Sequence, residues 1–198
     1  MRLSAPRIEP IGMDEYLAQS GGADRSAVNI GRMWLRYPAL KEVHRAMGPH
    51  LMGPAATVPV RERELGIIRM GVLRRSDYEF AQHRAFTLED GVLTEAEIDR
   101  IVEGPDAAGW TEFESTLLRA VDQLHDDAFI DEPTWTALAA GFSVEQIMDF
   151  VVLIGRYWMI ATMLNSFGVQ LEEGKVGLPE WLSDQPGVPA RPSPDPAG

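Results

Sequence analysis

The chain contains no cysteine. That absence removes disulfides, thiolate nucleophiles and cysteine metal sites together, and it fits a reducing cytoplasm. Positive charge is also scarce: 18 Lys and Arg face 30 Asp and Glu, giving a net charge of -12. A surface of that sign repels phosphate backbones and anionic lipid, which argues against nucleic acid and membrane partners. An anionic substrate would have to be met by a local arginine or a helix N-terminus that overcomes the overall field. The N-terminal MRLSAPRIEP has no apolar run of the kind a signal peptide needs. The longest apolar stretch, around Phe150–Leu164, is interrupted by Arg156 and followed by Asn165, and reads as too short and too polar for a membrane span. There is no glycine-rich phosphate loop and no His-Glu-x-x-His motif. Strand-like alternation is confined to Val169-Gln170-Leu171-Glu172, which is too short to define a strand. Neither a cofactor nor a metal is expected.

What is present reads as helix. At 198 residues and 45% hydrophobic, the chain has enough apolar material for one well-filled core. Residues 1–12, with Pro6, Pro10 and Gly12, read as an irregular arm. Residues 13–178 form a single helical domain. Residues 179–198 hold six of the 14 prolines and read as a mostly disordered tail, its start pinned by Trp181 and Leu182. One helix is expected from about Arg25 to Arg36, ending where Tyr37 precedes Pro38, and another from Pro38 to about Leu51. A core helix starts at Pro59, with Leu65, Ile68 and Val72 at helical spacing. Four later starts carry a capping-box pattern: Ser76-x-x-Glu79, Thr94-x-x-Glu97, Thr111-x-x-Glu114 and Ser143-x-x-Gln146. A short helix follows Pro133. The last, from Ser143 to about Phe167, has so wide an apolar stripe that it needs neighbours on more than one side, in the core or at a subunit interface. The fold class is therefore all-α, with about six to eight helices.

Chemistry concentrates between Pro59 and Ile98. On a helix, Ser76 and Glu79 lie one turn apart, and Glu79 and His83 are i,i+4 neighbours. Glu64 sits on the preceding helix. If the two helices fold back on each other at Arg74-Arg75, Glu64 can approach His83 and make a Glu–Glu–His–Ser cluster. Burial would move a glutamate's pKa up and a histidine's down, bringing both towards neutrality for acid–base work. The same spacings also suit a plain capping box, a surface pair and a first-turn acid. Tyr78 is a further possible donor. His44 and His50 have no acid pattern around them and read as surface or interface residues. His125-Asp126-Asp127 reads as turn chemistry rather than a metal site. Trp34 and Trp158 are candidates to line a pocket for a flat ligand, although core packing is the ordinary role of tryptophan.

These segments resemble the carboxymuconolactone decarboxylase family, which shares its fold with alkylhydroperoxidase D-type proteins. The resemblance is carried by Pro59-Val60-Arg61-Glu62-Arg63-Glu64-Leu65, by Tyr78-Glu79-Phe80-Ala81-Gln82-His83 and by Gly91 through Ile98. Leu124-His125-Asp126-Asp127-Ala128 with Trp135, Gly155-Arg156-Tyr157 and Asn165 through Glu172 add to it, covering about residues 28–175. The resemblance implies an all-α bundle assembled as trimers or hexamers, with the active site where the helix after Arg75 begins. In the redox branch that helix carries a Cys-x-x-Cys pair and a histidine, with a relay glutamate on the helix before. Here Glu64 takes the relay position and His83 the histidine position, while Ser76 and Glu79 stand in the two cysteine places. A hydroxyl and a carboxylate cannot cycle between dithiol and disulfide, so thiol peroxidase activity through this site is excluded.

What remains resembles the decarboxylase branch: a metal-free, cofactor-free acid–base lyase acting on a small carboxylated lactone or carbonyl acid. His83, Glu64 and Glu79 are expected to be catalytic. Ser76, Tyr78, Trp34 and Trp158 are expected to contact substrate, with Arg61 or Arg84 taking its carboxylate. Lactone hydrolysis, isomerisation or a biosynthetic tailoring step is an alternative on the same fold, and a non-catalytic ligand-binding or assembly protein is an alternative of another class.

Overall fold

The computed structural model describes residues 3, 5–20 and 28–184. Among them are ten α-helices and no strand: α1 Met13–Ser20, α2 Asn29–Trp34, α3 Pro38–Arg45, α4 Gly48–Met52, α5 Val60–Leu73, α6 Asp77–Glu89, α7 Glu95–Glu103, α8 Glu112–Asp126, α9 Glu132–Gly141 and α10 Val144–Phe167. A 3-10 turn follows at Glu180–Asp184. The count exceeds six to eight for two reasons. The N-terminal part holds α1, which its composition did not announce, and the segment expected as one helix from Pro38 to Leu51 breaks at Ala46-Met47 into α3 and α4. The helix expected from about Arg25 to Arg36 is shorter: Val28 is its extended N-cap and Leu35 its C-cap, so it runs from Asn29 to Trp34. Residues 25–27 and residues 185–198 of the tail lie outside the described set.

Local chemistry explains the boundaries. Thr94, Thr111 and Ser143 form complete capping boxes with Glu97, Glu114 and Gln146, satisfying first-turn N–H groups reciprocally. Gly168 ends α10 in the left-handed conformation, at φ 69°. The N-terminal arm is irregular, as expected, but it is docked: the Arg7 and Ile8 N–H groups donate to the Phe167 carbonyl at 2.8 and 3.2 Å, and Ile11 is buried. At the other end Leu182 packs on the core while Trp181 stays exposed.

The centre of the bundle is α5. Every residue from Arg63 to Val72 is buried, and α6, α7, α8 and α10 all pack on it. Gly66 makes the α10 crossing close, because a Cβ there would come within 2.8 Å of Ile154 and 3.0 Å of Phe150. By length and composition α10 is long and apolar enough to cross a membrane, more so than the Phe150–Leu164 stretch suggested. Here it packs against α5, α6, α8 and α9, burying Ile147, Phe150, Ile154, Ala161 and Leu164. Its other side exposes Val144, Met148, Val152 and Met159.

Burying charged residues on α5 requires partners. The Arg69 guanidinium donates through Nε and Nη2 to both carboxylate oxygens of Asp122 at 2.7 and 2.8 Å, and through Nη1 to the Ile101 and Val102 carbonyls. It thereby ties α5, α7 and α8 together. Breaking such a pair on one side leaves an uncompensated charge. Asp122→Ala is accordingly expected to cost about 3 kcal/mol in denaturant unfolding, and less than 1 kcal/mol would refute this reading of the brace.

Candidate active site

The turn from Arg74 to Ser76 folds α6 back onto α5. Arg75 adopts a left-handed φ of 51°, which reverses the chain. Gly71 lets the helices touch, since a Cβ there would stand 3.3 Å from the Phe80 amide nitrogen. The turn places Glu64 of α5 beside His83 of α6, with Glu64 Oε2 2.6 Å from His83 Nδ1. Glu64 is 0% exposed, and its second carboxylate oxygen makes no hydrogen bond to the described protein. His83 is partly buried, and its ring makes a T-shaped contact with the Tyr157 ring at 5.1 Å between centroids. Because Glu64 holds Nδ1, Nε2 is the ring nitrogen left for a reacting group.

Glu79 faces the same region, one turn before His83. It is 2% exposed, and neither carboxylate oxygen has a hydrogen-bond partner in the described protein. Burial pushes its pKa well above the ordinary carboxylate range. Burial thus favours its protonated form, which can donate. Ser76 caps nothing with its side chain: its hydroxyl is fully buried and unbonded, so the expected capping box with Glu79 does not form. Glu79 turns inward rather than back to its own N-terminus, and the start of α6 is instead covered by the C-terminal segment, where the Leu178 N–H donates to Asp77 Oδ1 at 2.9 Å.

A cavity of about 210 Å³ opens over this ridge. Tyr78, Glu79, Gln82 and His83 form one wall, Arg156, Tyr157, Ile160 and Leu164 of α10 another, and Ile30 and His44 the rim. Glu64 stands behind His83 rather than in the lining. Tyr78 reaches the cavity, but its hydroxyl is committed: it donates to Glu172 Oε1 at 2.7 Å and accepts from the Ile30 N–H at 3.1 Å. Glu172 also accepts from Gln82 and from the Asn29 N–H, so Tyr78 belongs to a clamp that closes α2 and the C-terminal segment over α6. Burial moves the phenol pKa of Tyr78 upward.

Other expected contacts lie elsewhere. Arg61 donates to Glu97 and Glu114, the acids of two capping boxes, and to the Val92 carbonyl. Arg84 pairs with Glu95 on the surface. Both cations are used up by local acids, and neither reaches the cavity. Trp158 is exposed beneath the Arg74 guanidinium and lines a different, more open cavity beside His125 and Asp126. Trp34 is buried and touches the site only through His44, on which it stacks at 4.6 Å. His44, expected at the surface or an interface, lines the cavity. Arg156, Tyr157 and Gln82 were not anticipated. Arg156 had a visible signal, a lone cation in the most apolar helix of the chain.

The Arg61 cluster has a consequence for acid stability. Burial pushes the Glu97 pKa up, but hydrogen bonds from Arg61 and Thr94 win and hold it down at about 2, against an ordinary 4.5. Above 4.5 the group is ionised in both folded and unfolded chains and its stabilisation is fully present, and as pH falls to about 2 that stabilisation is lost. The urea midpoint should therefore fall between pH 4.5 and 2, and Arg61→Met should flatten the fall. An unchanged slope in the variant would remove Arg61 as its cause.

Comparison with models of known protein families gives no match, and comparison with curated proteins gives none. Several solved structures are similar in fold, three of which illustrate the likeness. One is a protein of unknown function from Agrobacterium tumefaciens, described as a candidate AhpD antioxidant defence protein: TM-score 0.65, 21% identity, 70% of this chain and 94% of that one covered. An uncharacterised peroxidase-related protein with an AhpD core from Ralstonia eutropha JMP134 gives TM-score 0.66 at 16% identity, covering 81% and 83%. An uncharacterised peroxidase-related protein from Silicibacter sp. TM1040 gives 0.69 at 16% identity, covering 87% and 92%. The chain has the AhpD-like, carboxymuconolactone decarboxylase-type fold, without the cysteine pair of its redox branch.

Proposed function

We propose that the protein is a cofactor-independent acid–base enzyme, and that its reaction is decarboxylation of a small carboxylated lactone or related carbonyl acid. The observation that carries this reading is the 2.6 Å contact between buried Glu64 and His83 beside Glu79, a buried carboxyl without a hydrogen-bond partner, at a small cavity. Loss of carbon dioxide from such a substrate leaves an electron pair delocalised as an enolate, which must take up one proton. Glu79 donates that proton to carbon and becomes a carboxylate. In a water-poor site the carboxylate is costly, which drives its reprotonation. His83, oriented by Glu64, stabilises the enolate oxygen and relays the returning proton through Nε2.

The lactone hydrolase, isomerase or tailoring alternatives would use the same three groups. A purely ligand-binding protein has no need of a buried acid without a partner beside a histidine–carboxylate pair, and that favours an enzyme. The exposed apolar residues of α10 support assembly into a trimer or hexamer, and the lack of thiol chemistry suits a cytoplasmic setting.

A panel of γ-lactone and β-carbonyl acids, incubated with the protein, tests the reaction. Release of carbon dioxide from at least one member, with its methyl ester inert, is expected. Ring opening or isomerisation with the carboxylate retained would replace decarboxylation with one of the alternatives.

A further inference from the structure

One wall of the cavity carries a charge that the acid–base reading does not use. Arg156 of α10 lines it, and the guanidinium Nε and Nη1 are buried without any hydrogen bond to the described protein. Nη2 has one contact, the His44 ring nitrogen Nε2 at 3.3 Å. No carboxylate among the described residues forms an ion pair with Arg156, in a chain with 30 acids. None of the carboxyls near the cavity reaches Arg156: Glu64 holds His83, Glu172 holds Tyr78 and Gln82, and the oxygens of buried Glu79 have no hydrogen-bond partner among the described residues. Arg61 and Arg69 are both carboxylate-paired, so Arg156 stands apart from them.

We propose that Arg156 is the anion-binding residue of this cavity and that the ligand is a small organic acid. Its carboxylate sits on the guanidinium, and its apolar body lies against Ile30, Ile160 and Tyr157, within reach of Glu79 and His83. The proposal rests on the acid–base reading for what happens next, but not for binding. Buried guanidinium donors left without acceptors carry a desolvation penalty. A carboxylate removes that penalty through charge-assisted hydrogen bonds, once rotation of the terminal side-chain torsions turns the fork into the cavity. The surroundings position the cation. Trp34 stacks on His44, and burial, with Arg156 beside it, holds the His44 pKa below its ordinary value, so a neutral imidazole accepts from Nη2. The Tyr157 ring lies 5.9 Å from the guanidinium carbon. The cavity, at about 210 Å³, falls below the usual 300–1,000 Å³ of drug-sized pockets, which limits the ligand to a small ring or short chain. A local cation of this kind is what a chain of net charge -12 needs in order to hold an anion.

The test is calorimetric binding of the full-length protein to 5-oxotetrahydrofuran-2-carboxylate, benzoate and 3-oxocyclobutane carboxylate, each set against its carboxamide. At least one acid should bind at least about tenfold tighter than its amide, consistent with a single charge-assisted contact. Arg156→Gln should abolish that preference and Arg156→Lys should keep part of it, with melting temperatures reporting that both variants fold. Binding is read without turnover, so the anion site can stand even if the proposed catalysis fails. Equal binding of acid and amide throughout the panel would overturn the proposal. So would a preference that survives Arg156→Gln, or a loss of oligomeric state in Arg156→Gln with binding unchanged, which would make Arg156 an interface residue.

Discussion

His83→Ala and Glu64→Gln are each expected to lower kcat on the working substrate by at least about 100-fold while the fold is kept, the usual scale for a lost acid–base group. The two variants act differently. Removing the imidazole takes away the group that faces the reacting atoms. Glu64→Gln keeps the shape but replaces the charged acceptor 2.6 Å from Nδ1 with a neutral amide, which fixes neither the tautomer nor the imidazolium. The Gln variant should therefore show an altered pH–rate profile as well as a lower maximum, with KM moving little. Near wild-type rates in both variants would end the assignment. Circular dichroism melting separates a catalytic loss from unfolding, which matters for Glu64 because it sits in the middle of the core helix.

Glu79→Met is expected to abolish activity and to raise stability. A buried carboxyl without a hydrogen-bond partner costs roughly 1–3 kcal/mol, and a thioether of similar length fills the same space without that penalty. Stability gained as function is lost is the pattern of a group held in place for chemistry. The pH dependence has a definite sign. The folded pKa of Glu79 lies above the ordinary 4.5, so from that pH upward the unfolded chain ionises while the folded chain keeps its proton. Folding then binds the extra proton, and stability falls as pH rises until the folded group also ionises. Glu79→Met should remove this downward slope. A variant that is destabilised, with the slope unchanged, would mean that Glu79 is satisfied in the folded protein.

How much of this was legible in the chain follows from the range of each interaction. The helices of the second half were readable because their starts are encoded within four residues: Thr94, Thr111 and Ser143 each carry the partner that completes the cap. The same pattern misled at Ser76, where tertiary burial of both Ser76 and Glu79 overrode a local hydrogen bond. The meeting of Glu64 with His83 was foreseeable because a tight turn leaves two helices little choice but to fold back. The role of Arg61 was not, since its partners Glu97 and Glu114 lie 36 and 53 positions away on two other helices. Nor could a sequence pattern say that α10 would bring Arg156 and Tyr157 to the α6 ridge, or that α3 would bring His44 over them. Those contacts come from packing, and the charge interrupting an apolar helix was their one local sign.

The proposed chemistry requires that exclusion of water keep Glu79 in its proton-bearing form next to the Glu64–His83 pair. Infrared difference spectroscopy between the wild-type protein and Glu79→Gln at pH 7 tests it most directly. A protonated-carboxyl stretch is expected in the wild type, shifting in D2O and missing from the variant. A difference spectrum containing only ionised-carboxylate bands would contradict it.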